Sequence, residues 1–72
     1  MEAGRTYKIV EVAGTSGAGV TEAMQAGVAR ASRTLRNIDW VQVVDVRGHV
    51  VDGAIEHYQV TMKIGFRLED QA

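Results

Sequence analysis

The sequence predicts an α+β fold of β-α-β-β order, with a three-stranded, antiparallel-type sheet wrapped on one helix. Three observations carry that expectation. From Tyr58 to Leu68, every even position is apolar and the odd ones, Gly65 apart, are polar. From Val20 to Arg36, apolar residues recur at spacings of three and four. Between two long strand-like runs lies Asp52-Gly53, a strong signal for a tight hairpin.

The first strand is expected from Thr6 to Val12, where β-branched and aromatic residues concentrate and Lys8, Val10 and Val12 alternate with Tyr7, Ile9 and Glu11. Gly14-Thr15-Ser16-Gly17-Ala18-Gly19 reads as a loop, with Thr15 or Ser16 available to cap the next element. The helix then carries the stripe Val20, Met24, Gly27, Val28, Ala31, Leu35 and Ile38. Glu22 in its first turn and Arg30, Arg33 and Arg36 towards its end suit the helix dipole, and Asn37 is its expected stop. Trp40–Val51 and Ala54–Leu68 form the hairpin, and strand 1 is expected to pair antiparallel with the last strand at the centre.

Length and composition bound the function. A chain of 72 residues makes one domain, here 1–72 with an ordered core about 5–69, and a domain of that size buries only about 60% of its unfolded surface. Without cysteine, neither disulfides nor thiolate zinc sites reinforce it, which leaves oligomerisation. A roughly 20-residue helix covers about 30 Å, whereas a 14-residue strand runs about 45 Å. The sheet therefore outruns its cover and calls for further copies. A net charge of −1 argues against a general nucleic-acid binder. No apolar run approaches the roughly 18 residues that would span a bilayer. The polar start Met1-Glu2-Ala3-Gly4-Arg5 does not read as a signal peptide. A soluble cytoplasmic protein is expected.

Nucleotide motifs fail on inspection. A P-loop needs Gly-Lys-Ser/Thr, but Val20 follows Gly19; a dinucleotide fingerprint from Gly17 needs glycine where Glu22 stands. His49 and His57 flank the turn with only Asp52 and Glu56 nearby, so exposed polar positions suit them better than metal ligation. No catalytic set can be assembled, and none is expected.

Trp40, the sole tryptophan, is compatible with both core packing and ligand stacking. Gln59 offers a donor and an acceptor to a ring edge, or is an ordinary solvent-facing residue. Arg47 and Arg67 are partners for an anion, or for surface and inter-subunit carboxylates. The hairpin register bears on the choice. A two-residue loop sets Trp40 opposite Gly65, on the Gln59 face. A three-residue loop groups Trp40, Val44, Val46 and Val50 with the apolar residues of the last strand, and a bulge reconciles the two.

Gly14-Thr15-Ser16, Arg30-Ala31-Ser32-Arg33-Thr34-Leu35-Arg36-Asn37, Asp39-Trp40, Arg47-Gly48-His49, Val51-Asp52-Gly53 and the run His57-Tyr58-Gln59-Val60-Thr61-Met62-Lys63-Ile64-Gly65-Phe66-Arg67 together resemble the dodecin family over almost the whole chain. The resemblance implies a non-enzymatic flavin-binding protein assembled as a hollow homododecamer. Its role would be storage, buffering or photoprotection, with FMN or riboflavin as ligand and FAD as a further candidate. It implies flavins stacked in pairs on Trp40, with Gln59 on the polar ring edge and Arg47 near the site. It also implies coenzyme A as a second ligand of some bacterial members, near Arg30 and Arg67. The alternatives are an assembly module with an incidental ligand and a flavin-dependent redox enzyme. Gly17 stands where many relatives carry proline, which leaves the helix start less fixed.

Overall fold

The computed structural model describes residues 4–69; Met1 to Ala3 and residues 70–72, parts of the expected single domain, lie outside the described residues. The element order is β1 (Tyr7–Ser16), α1 (Val20–Ala31), β2 (Ile38–Val51) and β3 (Ala54–Arg67). The strands form one antiparallel sheet in the order β1-β3-β2, as the sequence predicts. Asp52 (φ 51°) and Gly53 (φ 79°) both take positive φ, the backbone of the two-residue turn that matches strand twist.

The core lies between α1 and the even-numbered face of β3. Ala23, Val60, Met62 and Ile64 are wholly buried, and Val12, Val20, Met24 and Val28 pack around the cluster of Ala23, Val60 and Met62. Helix and strand approach closely where Gly14 of β1 meets α1. A Cβ on Gly14 would overlap the carbonyl oxygen of Ala23 and lie 2.9 Å from the Gly27 nitrogen.

This contact corrects the first boundary. Gly14, Thr15 and Ser16 belong to β1, opposite Val60, Gln59 and Tyr58, although their composition reads as loop. The cap expectation also fails. Gly19 is the N-cap and makes no side-chain hydrogen bond, while Ser16 Oγ accepts from the Ala18 N–H at 3.0 Å.

The helix ends at Ala31, five residues before the expected Arg36. Past Ala31 the chain tightens: the Arg33 N–H donates to the Arg30 carbonyl at 3.2 Å, and that of Thr34 to the Ala31 carbonyl at 3.1 Å. Ser32 Oγ donates to the Val28 carbonyl at 2.8 Å. The Val28 carbonyl also keeps the Ser32 N–H at 2.9 Å, and such back-bonding by a hydroxyl slightly destabilises and bends a helix. Asn37 does reverse the chain, with φ 64°, but at the entrance to β2 rather than at the helix end.

The shorter helix sharpens the cover problem. Twelve residues span about 18 Å, against β2 and β3 of 14 residues each. The chain measures 58 × 20 × 14 Å with a radius of gyration of 15.2 Å, where a compact chain of this length has about 11 Å.

Candidate functional site

One register irregularity organises the polar face of the sheet. From Arg47↔Gln59 to Asp45↔Thr61, odd residues of β2 face odd residues of β3. From Val43↔Met62 to Val41↔Ile64 and Trp40↔Gly65, odd faces even. The change occurs between Val43 and Asp45, where Val44 is the extra residue of a bulge. Because successive strand side chains alternate faces, the bulge keeps Trp40, Gln42, Asp45, Arg47 and His49 on one face. Val41, Val43, Val46 and Val50 go to the helix side. Neither simple hairpin register is correct alone. The turn itself is two residues long, with Val51 opposite Ala54, and further shifts at Asp39 and Glu56 complete the pattern.

Trp40 therefore lies outside the core, 37% exposed, on the face opposite α1. Its indole covers Gly65: a Cβ built on Gly65 would overlap Cε2 and Cζ2 and stand 2.6 Å from Nε1. Across Gly65 on the other side sits Ile9 of β1, 52% exposed. At this end Tyr7 donates its hydroxyl hydrogen to Asp39 Oδ2 at 2.9 Å. This contact links β1 with the start of β2.

Arg47 and Gln59 are direct cross-strand partners. They line a depression of about 270 Å³ with Gly48, His49 and His57. The two imidazoles stack at 4.9 Å between centroids, 19° from parallel. Arg47 Nε donates to Asp45 Oδ2 at 2.9 Å, and both side chains are well exposed. His57 Nδ1 lies 3.2 Å from Glu56 Oε1. Among the described residues, no group of three or more His, Cys, Asp or Glu side chains is placed to hold a metal.

The five residues singled out by sequence thus occupy three places. Arg67 shares the Trp40 end of the polar face, two residues beyond Gly65 and opposite Tyr7. Arg47 and Gln59 form a second locus. Gly65 lies six positions beyond Gln59 on β3, about 20 Å at roughly 3.3 Å per residue. Arg30 lies apart from both, in the last turn of α1, where it lines a groove of about 410 Å³ along the β1 edge with Thr15, Thr34 and Leu35. Gly65 is the site residue that sequence reasoning passed over. Its signal was available, because glycine inside a strand marks a close approach by another group.

Chemically, the polar face offers a partly exposed indole, a guanidinium beside an amide, and no nucleophile–base pair. Among the described residues, no helix is long and apolar enough to cross a membrane. The Dodecin family model matches residues 6–69. A dodecin from Thermus thermophilus is 46% identical over 67 residues, which is 93% of this chain and 97% of that one. The solved dodecin from Streptomyces davaonensis is 51% identical with a TM-score of 0.90, covering 94% of this chain and all of that one. The dodecin of Streptomyces coelicolor is 48% identical with a TM-score of 0.90, over 97% of this chain and all of its own.

Proposed function

The chain belongs to the dodecin family, and from that premise we propose that it is a non-enzymatic flavin-binding protein of the cytoplasm, working as a hollow cage of twelve copies. The observation that carries this reading is Trp40. A tryptophan more than a third exposed, outside the core and backed by strand backbone, is a surface on which a flat aromatic ring system stacks. The fit extends to the ring edge, for which the Gln59 amide offers both a donor and an acceptor.

The separation of about 20 Å along β3 exceeds the length of one three-ring flavin. A ring stacked on Trp40 therefore receives Gln59 and Arg47 from a second copy, so assembly and binding are one design. The elongated subunit and its uncovered valines at positions 43, 44, 46, 50 and 51 support the same conclusion. FMN and riboflavin share the ring that Trp40 and Gln59 would meet, and FAD shares it too. The separate groove at Arg30 is where a phosphate-bearing second ligand such as coenzyme A would lie. A bound flavin supplies light absorption and redox capacity. The chain itself stacks the ring and matches its edge, with the His49 and His57 imidazoles stacked on each other beside Gln59, which favours sequestration for storage, buffering or protection from light.

The test is a visible spectrum of the purified protein, joined to sedimentation and a riboflavin fluorescence titration. Flavin absorbance, a species near twelve subunits and strong quenching are expected, with no turnover of reduced nicotinamide. A stable monomer at micromolar concentration that leaves riboflavin fluorescence unchanged overturns the reading.

A further inference from the structure

Gly65 occupies a position where the backbone does not call for glycine. Its φ lies outside the left-handed region, in contrast to Gly53 of the turn. It sits two residues before the end of β3, the central strand, paired on both sides, where glycine weakens a strand and a side chain would be preferred. It points away from α1, so helix packing does not exclude a side chain there either. What excludes one is the indole. Three atoms of Trp40 stand within 2.6 Å of where the Cβ would be, and real Cβ contacts this close are not tolerated. Gly65 is accordingly buried on a face where neighbouring Lys63 is exposed; its cover is Trp40.

We propose that Gly65 is the positioning residue of the ring-stacking site: its missing side chain lets the Trp40 indole rest on the β3 backbone and so sets the height and tilt of the platform, and with them which fused aromatic ring systems fit. This deepens the flavin reading and rests on it for the ligand, but not for the seating of the indole. A methyl group at 65 must push the indole outward or towards Ile9 on the far side of β3, since the strand backbone cannot recede without disturbing Ile64 and the core behind it.

The experiment compares wild type with Gly65→Ala and Gly65→Val in the full chain. Trp40, as the only tryptophan, reports its own seat through near-ultraviolet circular dichroism and acrylamide quenching of the ligand-free protein; riboflavin titration reports the platform. Gly65→Ala should increase quenching of the indole and weaken riboflavin binding by about tenfold, within the range of coupling between touching residues, and Gly65→Val should weaken it further. Far-ultraviolet dichroism should stay as in wild type. Trp40→Phe supplies the second arm: with a smaller ring at 40, Gly65→Ala should lower the melting temperature less than it does beside tryptophan. An unchanged indole signature and affinity in Gly65→Ala overturns the proposal, as does a fall in melting temperature that is equal in the tryptophan and phenylalanine backgrounds. A wild type that ignores riboflavin defeats the flavin reading, while the ligand-free indole signals still decide the role of Gly65.

Discussion

The two ends of β3 live in different surroundings. From Val60 to Ile64, every second side chain is wholly buried, Val60 and Met62 in one cluster with Ala23 of α1. From Ala54 to Glu56, together with Gly48 to Val51 across from it, the hairpin carries no cover; Val50 is 61% exposed and Ile55 50%. Both ends are β-structure joined in one sheet, and each carries a register shift against β2. The difference teaches that strand pairing and burial are separate achievements here. The covered end stabilises the subunit, whereas the bare end has apolar area whose return comes only when another surface removes it from water.

Substitutions sharpen that contrast. Met62→Ala, at the sealed end, should lower the unfolding free energy by about 2–5 kcal/mol, seen as a large fall in the denaturant midpoint. Trp40→Ala lies on the other face of the sheet and should behave oppositely. It should weaken flavin binding by about 2–4 kcal/mol in a fluorescence titration, while the ligand-free melt moves by less than about 1 kcal/mol. A large fall in melting temperature with unchanged affinity would make Trp40 a packing residue and remove it from the site. Val50→Asp, on the bare end, should perturb the single subunit least, within about 0.5 kcal/mol as for a surface position. Its effect should register in sedimentation, as loss of the large species in favour of smaller ones. If Val50→Asp leaves the assembly intact, the bare hairpin is not the surface that unites copies, and the contrast between the two ends loses its meaning.

The sequence disclosed those features that local chemistry decides. Asp52-Gly53 is legible because few residue pairs take positive φ twice in succession. The β3 alternation is legible because one face is helix-covered and the other polar. The helix end was not, since Leu35 and Ile38 continue the stripe by position while the backbone already tightens at Arg33 and Thr34, where each N–H donates three residues back. Gly14-Thr15-Ser16 resembles a loop because small residues serve two purposes, turning the chain and letting a helix come near. The position of the bulge was hidden for a plainer reason. Val43, Val44 and Val46 are all apolar, so no pattern marks which of them is the extra residue. The family resemblance groups Trp40, Gln59 and Arg47 into one site; distance along β3 divides them within a single chain.

The bulge at Val44 has a second effect, on how the chain keeps itself from sticking in the wrong way. β2 is an edge strand of 14 residues, a ready template for a foreign strand to zip onto. A template works only where its free amides and carbonyls are evenly spaced. The irregularities at Asp39 and Val44 break that spacing and add twist, so an incoming strand finds a few residues in register before the edge bends away. The kink that turns Trp40 to the polar face thereby also guards a proline-free chain against fibril-like growth.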